Sequence, residues 1–491
     1  MNTDAPHQQW PGLVEARERV LGMQTKLHRW STADATARFD DLFNLVVDPA
    51  FLRLGWERVA GNTGARSAGI DKVTVRSIQV ADQTREFLSD LRLRVKTGQF
   101  IPSPVKQRRI PKPSGGHRLL GIPTVADRVV QASLVLVLEP IFEADFHPSS
   151  YGFRPRRRAW DAVAEIQMFS SRSYEWVLEG DIAACFDEID HTALMGRVRA
   201  RIGDKRVLAL VKAFLKAGAL SEDQIHRPTD AGTPQGGILS PLLANIALEV
   251  LDVHFAREWE ATSATRVDRA RRRRHGQPVF RLVRYADDFV VLVSGNREHA
   301  EAVRQQTADV LAPMGLRLSE EKTTVVHIDE GFDFLGFRIQ RHRKPGTSKS
   351  FVYTFPARKS VASVRRKVKT ITQQGTNQPL SELLKQLNPL LRGWTRYFQH
   401  GVSKRAFGYL RHYTWTRVVG WLRNKHRKTG WKALRRRYST QGWWPHHAGV
   451  ELFDPAAVAV TRYRYRATSR HRGPSQHQPD HRHDLVESRM R

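Results

Sequence analysis

The sequence predicts an α+β protein whose last third is helical and strongly basic. The first 60 residues and the region beyond residue 356 carry apolar residues at helical spacing. Between them lie short β-type runs separated by turns rich in Gly and Pro. A chain of 491 residues exceeds what one compact core holds, so we expect roughly two to four domains.

The N-terminal part is expected to combine helices with one hairpin. Apolar spacing predicts helix within residues 1–60, and a Gly-rich loop follows at residues 61–74. Residues 101–124 alternate β-type residues with turn residues, which predicts a hairpin with its tip at residues 112–116. A helix is expected to follow from about residue 125 to residue 142.

The middle part has mixed α/β character around three aspartates. Residues 176–182 indicate a short apolar strand that contains Asp181 near its end. Residues 279–294 indicate two strands joined by a tight polar turn at Asp287 and Asp288. The other expected elements are helices over residues 197–217 and 297–311 and a solvated basic loop at residues 269–274.

The composition indicates a nucleic-acid partner. Lys plus Arg outnumber Asp plus Glu by 80 to 49, which gives a formal net charge of +31 that a polyanion would neutralise. Binding should therefore weaken steeply with salt, and a merely soluble basic protein is the alternative. The single cysteine, Cys185, excludes an intramolecular disulfide and a multi-cysteine zinc site. Because the chain has neither a long apolar run nor a signal-peptide pattern, we expect a cytoplasmic, bacterial-type, nucleoid-associated protein.

Asp287 and Asp288 are the sharpest chemical feature of the sequence. Adjacent carboxylates in a dry site repel each other and lose hydration, and a bound cation removes that cost. Oxygen ligands next to phosphate suit Mg²⁺. On this pair alone, a solvent-exposed hairpin turn is an equal alternative, because Asp is common in turns. Asp181 in a second apolar strand favours a two-metal site, in which carboxylates from separate strands meet around ions about 3.5–4 Å apart.

A series of motifs in order makes the chain similar to the group II intron-encoded reverse transcriptases, also called maturases. YADD at residues 285–288 and GDIAACFDEIDH at 180–191 resemble the catalytic box and the first-aspartate motif of that family. The resemblance covers roughly residues 30–430. The other matching motifs are SAGIDKVT (67–74), RLLGIPTVADRVVQ (118–131), GTPQGGILSPLLANIALEVLD (232–252), LRLSEEKT (316–323), FDFLGFRI (332–339) and LNPLLRGWTRYFQHGVSKRAFGYL (387–410).

The resemblance implies a right-hand polymerase, with antiparallel sheet in the fingers and palm, followed by an α-helical thumb or maturase domain. It implies an RNA-directed DNA polymerase that copies intron RNA into DNA for retrohoming and assists splicing by binding the intron RNA. The implied partners are group II intron RNA, a DNA target, an RNA–DNA template–primer and dNTPs, and the implied cofactor is a pair of Mg²⁺ ions. The expected domains are an N-terminal helical extension (1–60), fingers (61–175), palm (176–345), thumb or maturase domain (356–430), a candidate DNA-binding region (431–468) and a disordered basic tail (469–491).

Matching positions imply roles for individual residues. Asp181, Asp287 and Asp288 would ligate metal, with the Ile182 carbonyl as a further ligand. The residues expected around the substrate are Phe186 as a steric gate against the sugar 2′ position, Gln235 beside the incoming nucleotide, Arg118 and Lys112 on the triphosphate, Tyr285 at the primer end, Lys322 as the proton donor to pyrophosphate, and residues 334–337 as the primer grip. The alternatives are a core Phe, a buried structural Gln, surface cations and a plain hydrophobic turn.

In the last third of the chain, cations alternate with aromatic rings, a mixture that suits structured RNA. We expect the rings of Trp394, Phe398 and Trp421 to be core and the cations to bind RNA, although these cations could be only the solvated face of that core. The cations assigned to nucleic acid are Arg392, Arg396, Arg417, Arg423 and Lys425.

The chain departs from many family members near its C-terminal end. It has no cysteine after Cys185, so we expect an endonuclease-lacking form. Four histidines in the Pro- and Arg-rich tail are expected to be disordered rather than to bind zinc: His471, His477, His481 and His483. Two competing functions stay open: an RNA-binding splicing cofactor with a silent polymerase, and a cellular reverse transcriptase of the defence-associated kind.

Overall fold

One central sheet with an apolar core on each face organises the structure, a computed structural model. It describes residues 10–111, 115–221, 226–227, 229–439, 443–463 and 465. The α+β class expected from the sequence is confirmed, because mixed and antiparallel sheets are followed by a helical C-terminal part. In the described part of the chain, no helix is long and apolar enough to cross a membrane.

The N-terminal part is helical apart from one hairpin. Its elements are α1 (Leu13–Ala33), α2 (Phe43–Val46), α3 (Pro49–Gly61), α4 (Val75–Val80), α5 (Thr84–Lys96), β1 (Val105–Pro111), β2 (His117–Ile122) and α6 (Val125–Glu143). The predicted hairpin and the helix after it are confirmed, and α6 is buried along most of its length. Residues 112–114 of the hairpin tip, including Lys112, lie outside the described residues.

The middle part carries the central sheet. Its elements are α7 (Ala159–Ser170), β3 (Trp176–Gly180), α8 (Cys185–Glu188), α9 (His191–Arg201), α10 (Lys205–Lys216), β4 (Ala219–Leu220), β5 (His226–Arg227), α11 (Ser240–Ser263), α12 (Arg266–Arg274), β6 (Val279–Tyr285), β7 (Asp288–Ser294), α13 (Arg297–Leu311), β8 (Thr324–His327), β9 (Phe332–Phe334), β10 (Phe337–Arg343) and β11 (Ser350–Pro356). The central sheet has the order β6-β7-β3-β8, and all its pairs are antiparallel.

Alternate residues of the central sheet enter different cores. On β7, Phe289 and Val291 face the core that also contains α1, α3, α6 and α11, whereas Val290 and Leu292 face the core shared with the C-terminal helices. This alternation follows from the two-residue period of a strand. The sheet is therefore covered on both faces, so only the ends of its strands can contact a substrate.

A second sheet has the order β2-β1-β4-β5 and is mixed rather than purely antiparallel. β1 pairs with β2 in the expected antiparallel way, but Val105 pairs with Ala219 in parallel. The short strand β4 thus joins the hairpin to the chain that leaves α10.

Two local expectations in the middle part are wrong. Residues 197–217 are not one helix, because α9 ends at Arg201 and the Asp204 carboxylate caps the start of α10. Residues 269–274 are not a loop, because they belong to α12, which starts with a capping box between Thr265 and Asp268.

The last third is helical, and its end returns to the middle part. Its elements are α14 (Arg358–Gln373), α15 (Leu380–Phe398), α16 (Lys404–Lys425), α17 (Trp431–Tyr438) and the short strands β12 (His446–His447) and β13 (Val450–Glu451). As expected, Trp394, Phe398 and Trp421 are buried. Beyond β13 the chain runs along α15 and α16, and the Tyr463 hydroxyl donates to the Asp161 carboxylate of α7 at 2.6 Å. The tail residues 469–491 lie outside the described residues.

Candidate active site

Three aspartates from two separate segments lie at one end of the central sheet. β3 and β7 end their pairing at Gly180 and Phe289. Asp181 follows Gly180 and Asp288 precedes Phe289, so these two aspartates are neighbours one step beyond that pair, and Asp287 is in the adjoining turn. Gly180 is required here, because a Cβ atom would lie 2.1 Å from the Phe289 ring.

A buried ion pair holds the turn that carries Asp287. Only Ala286 and Asp287 join β6 to β7, and Ala286 has a φ of +58°, a left-handed conformation that is costly for a non-glycine residue. The side chains of Arg284 and Asp252 form a fully buried ion pair, with Arg284 Nε 3.0 Å from Asp252 Oδ1. Arg284 Nη1 also donates to the Ala286 carbonyl at 3.0 Å, which ties the turn to the ion pair.

Asn245 on α11 extends this network to the other side of the turn. Its Oδ1 accepts from Arg284 Nη1 at 3.0 Å, and its Nδ2 donates to the Gly152 carbonyl at 2.9 Å. Gly152 lies directly against the turn, because a Cβ atom there would be 2.2 Å from the Ala286 nitrogen. Asn245 and Asp252, which shape the site, are not among the residues predicted from the sequence. The available signal was an amide and a carboxylate on the otherwise apolar face of α11.

The loop before β8 positions Asp181. The Asp181 carbonyl accepts a hydrogen bond from the Ser319 nitrogen at 2.7 Å, and the Ala183 nitrogen donates to the Arg317 carbonyl at 3.0 Å. The Ile182 carbonyl, which lies between them, takes no part in this pairing. Lys322 Nζ lies 2.9 Å from Asp181 Oδ2, although the lysine side chain is 65% exposed and the pair adds little stability. Lys322, expected to donate a proton to pyrophosphate, is therefore placed beside one of the three aspartates.

The residues at this end of the sheet fit divalent metal ions. Three carboxylates and the Ile182 carbonyl are hard oxygen ligands, and Mg²⁺ keeps several waters and binds through one or two carboxylates plus phosphates. Burial first, and then the negative charge of Asp287, raise the pKa of the Cys185 thiol. Within the described ranges, no group of three or more His, Cys, Asp or Glu side chains is arranged so that it could hold a metal ion by itself.

The segments that carry Phe186 and Gln235 lie against each other. The Thr233 nitrogen donates to the Phe186 carbonyl at 2.6 Å, and Gln235 Nε2 lies 3.1 Å from Asp187 Oδ2. Gly232, with a φ of +84°, allows this approach, because a Cβ atom there would lie 2.6 Å from the Asp187 carbonyl oxygen. The Phe186 ring is partly buried and contacts the exposed Phe153 edge-on at 6.4 Å. The segments that carry these two residues therefore pack against each other, and their contact with one nucleotide stays a prediction.

The β1–β2 hairpin reaches the same place. The Gly121 nitrogen donates to the Gln235 carbonyl at 2.7 Å, and a Cβ atom on Gly236 would lie 2.5 Å from the Gly121 oxygen. Arg118 is exposed on β2, three residues and about 10 Å from this contact. Its position leaves its guanidinium available to a polyphosphate, and Lys112 is among the residues not described.

Comparisons with known proteins show the family of the chain. The family model "Reverse transcriptase (RNA-dependent DNA polymerase)" matches residues 110–339, and "Group II intron, maturase-specific domain" matches residues 361–439. Protein YkfC of Escherichia coli (strain K12) is 35% identical over 360 residues, which cover 70% of this chain and 93% of that protein. The chain belongs to the group II intron reverse transcriptase and maturase family.

A second relative is described by its name as a group II intron-encoded protein. The "Group II intron-encoded protein LtrA" of Lactococcus lactis subsp. cremoris is 32% identical over 361 residues, 63% of this chain, and the match spans 58% of LtrA. The chain carries the reverse transcriptase domain of an RNA-directed DNA polymerase, a family that typically uses divalent metal ions. The two matched domains imply nucleic-acid partners.

In this reverse transcriptase, the predicted primer grip is a tight hairpin turn that contacts the maturase-specific region. Leu335 and Gly336 join β9 to β10, both with positive φ, and Phe334 and Phe337 are buried. Tyr397 donates its hydroxyl to the Leu335 carbonyl at 2.9 Å. Tyr285, expected at the primer end, is only 9% exposed and packs in the same core, so its contact with primer stays a prediction.

The five cations assigned to nucleic acid divide into two groups. Arg392, Arg396 and Arg423 are exposed and therefore available to RNA. Arg417 donates to Thr372 Oγ1 at 3.0 Å, and Lys425 donates to the carbonyls of residues 376 and 378 at 2.6 and 3.1 Å. The last two side chains hold the maturase-specific helices together, a role that single-sequence reasoning could not separate from RNA binding.

Proposed function

We propose that this chain is an active RNA-directed DNA polymerase of a group II intron, which copies intron RNA into DNA for retrohoming and assists splicing by binding that RNA. The observation that supports the polymerase best is the side-by-side placement of Asp181 and Asp288, with Asp287 in the anchored turn beside them. The maturase-specific match over residues 361–439 supports the splicing role.

The carboxylates of Asp181, Asp287 and Asp288, with the Ile182 carbonyl, would hold two Mg²⁺ ions. When bound, these ions supply deprotonation of the primer 3′-hydroxyl and neutralisation of the charge that develops on the α-phosphate. Lys322 at Asp181 Oδ2 is within reach of a pyrophosphate held next to the same carboxylate, and its ammonium can donate the proton that the leaving group needs.

The neighbouring loops would orient the nucleotide. The backbone of Phe186 is held by the bond from Thr233 to its carbonyl, and its ring packs edge-on against Phe153, so a sugar 2′-hydroxyl would meet this ring. Gln235, tied to Asp187, would lie by the base, and Arg118 would bind the triphosphate from β2. The DNA target, the dNTP substrates and the division into fingers, palm and thumb belong to the same proposal.

Replacing Asp287 with Asn tests the assignment, because the amide keeps the shape of the side chain and removes the charge that a cation needs. We expect DNA synthesis on poly(rA)/oligo(dT) with dTTP to fall by roughly 10³-fold or more, while RNA binding and splicing of the surrounding intron transcript stay within about twofold of the unmodified protein. Asp309→Asn is the matched control, since Asp309 is exposed on α13 and, among the described residues, its side chain bonds only to Gln305.

Two results would count against the proposal. An unmodified protein that binds intron RNA but extends no primer would be a splicing cofactor with a silent polymerase. Equal DNA synthesis by the Asp287→Asn and Asp309→Asn variants would remove Asp287 from the catalytic site.

A further inference from the structure

Helix α12 is built almost entirely from arginine and buries none of its residues. Its sequence RVDRARRRR carries six arginines and one aspartate, a net charge of +5 in nine residues. A surface helix in a folded protein is normally stabilised by packing an apolar face, which α12 lacks. The fold therefore gains no hydrophobic stabilisation from this helix, and its charge needs a separate explanation.

Three of the arginines attach α12 to the protein. Arg269 donates to the Ser263 carbonyl at 2.7 Å and lies 5.2 Å over the Trp259 ring. Arg272 donates to the Pro278 carbonyl at 2.9 Å, and Arg273 donates to Ser294 Oγ at 3.1 Å. Together with the capping box at its start, these contacts fix the helix on the protein surface.

The other three arginines, Arg266, Arg271 and Arg274, are exposed and extend over about 12 Å of the helix axis. Within the described part of the chain, none of them forms a salt bridge, and the Asp268 carboxylate is occupied by Thr265. The helix thus presents three cations on a rigid support. This arrangement can contact several phosphates without first ordering the protein backbone that carries the cations.

The location separates this surface from the catalytic aspartates. Arg273 contacts Ser294, which pairs with Val279 at the start of β6, whereas the catalytic turn follows Tyr285 at the end of the same strand. The length of β6 puts the two places about 20 Å apart. A polyanion bound at α12 is therefore a different segment from the template being copied.

We propose that Arg266, Arg271 and Arg274 form a second RNA-binding surface, which holds the phosphate backbone of folded RNA at the end of the central sheet remote from the catalytic site. Arginine is suited to phosphate because its planar fork can make two hydrogen bonds at once. Folded RNA is the polyanion that a chain with a maturase-specific domain handles away from its polymerase site. The choice of RNA rests on the proposed function, whereas the binding surface itself rests on the geometry of α12.

The test compares two triple variants of the full chain that lose the same charge. The first is Arg266→Gln/Arg271→Gln/Arg274→Gln. The matched control is Lys205→Gln/Lys212→Gln/Lys216→Gln, three exposed lysines of α10. The probe is a blunt-ended RNA hairpin that offers no single-stranded template, and its affinity is measured by fluorescence anisotropy from about 50 to 300 mM salt.

We expect the α12 variant to bind the hairpin about tenfold or more weakly and to lower the slope of log K against log salt by about 2 to 3, with a smaller change in the control. Arg→Lys replacements at the same three positions should keep most of the slope, because they keep the charge. Primer extension by the α12 variant should retain kcat and the KM for dTTP within about twofold.

Three outcomes would overturn the proposal: an unchanged salt slope, an equal loss in the α10 control, or an equal loss of primer extension. If a DNA hairpin of the same sequence loses affinity while the RNA hairpin keeps it, DNA is the partner and the RNA assignment fails. Failure of the proposed polymerase is a separate result, since an unmodified protein without primer extension would leave the hairpin measurements intact.

Discussion

At the scale of single residues, the position of Asp287 depends on a side chain that faces away from the substrate. β6 carries two arginines that each pair with a buried carboxylate: Arg284 with Asp252 and Arg281 with Glu165. Only Arg284 also donates to the carbonyl of Ala286, inside the catalytic turn. Both pairs stabilise the fold, since breaking a buried pair costs about 3–5 kcal/mol. Only the Arg284 pair can also set the position of Asp287, because it bonds to the turn that carries this residue.

Arg284→Lys separates this positioning role from general stability. Lysine keeps the charge but cannot bond to Asp252, Asn245 and Ala286 together, so we expect kcat of DNA synthesis to fall about 10²-fold with little change in the KM for dNTP. Arg281→Lys is the control on the same strand and should lower the unfolding free energy by a comparable amount while keeping kcat within a few-fold. Equal losses of kcat in the two variants would show that Arg284 contributes stability alone.

The same residues show what a single sequence reveals about a site. Asp181, Asp287 and Asp288 could be predicted because each one interrupts an apolar strand pattern. Asn245 and Asp252 are visible only as polar residues on the apolar face of α11, because their partner Arg284 is 39 and 32 residues away and nothing local records the pairing. Buried polar networks are defined by tertiary contacts, so sequence reasoning finds the chemical groups and misses the groups that orient them.

At the scale of elements, α6 is the helix that holds together the loops proposed to bind the nucleotide. Arg128 donates to the carbonyls of Gly64 and Ser67 at 2.8 and 2.6 Å, and the oxygen of Gln131 accepts from the Ile238 nitrogen at 2.8 Å. The apolar pattern was enough to predict α6, which buries most of its surface. The same reasoning failed for α12, because a helix that buries nothing has no apolar period and only its capping box marks it.

The first turn of α6 gives a pH prediction. Asp127 is 2% exposed, and burial raises its pKa to about 6 although Thr124 donates to its carboxylate at 2.7 Å. Because the folded pKa lies above the unfolded value of 3.8, the folded state binds more protons between these values, and stability falls as pH rises through that window. Above about pH 6 the loss is complete.

Asp127→Asn mimics the protonated carboxyl and should lack this loss. Between about pH 4.5 and 7, the unfolding free energy of the unmodified protein should fall by about 1–2 kcal/mol relative to that of the variant. Denaturant titrations of both proteins across this range measure the difference in unfolding free energy. The contributions of all other titrating groups to the pH dependence cancel in this difference, because both proteins contain them. A difference that stays constant with pH would place the Asp127 pKa near its ordinary value.

At the scale of the whole molecule, the C-terminal segment joins the maturase-specific helices to the central sheet. Thr461 bonds to the Gln399 carbonyl at 3.0 Å, and the Tyr463 hydroxyl reaches Asp161. The Tyr465 hydroxyl hydrogen-bonds with the side chains of Tyr151 and Glu165, and burial, followed by the charge of Glu165, raises the pKa of Tyr465 to about 12. This packing could not be read from the sequence, where weak motifs suggested only DNA binding for residues 431–468, and that binding stays a prediction.

Removing two hydroxyl groups tests whether this segment keeps the two parts of the protein together during synthesis. In Tyr463→Phe/Tyr465→Phe, hydrogen bonds worth about 1–3 kcal/mol each are lost, so the maturase-specific helices should open from the central sheet more often. We expect several-fold shorter products per binding event in the presence of a primer trap, with single-nucleotide kcat unchanged. Tyr409→Phe/Tyr413→Phe is the control, because these rings stack on each other on α16 and pack under Arg365, away from α7. If both double variants make products of the same length, the segment is packed against the polymerase without holding it closed on the duplex.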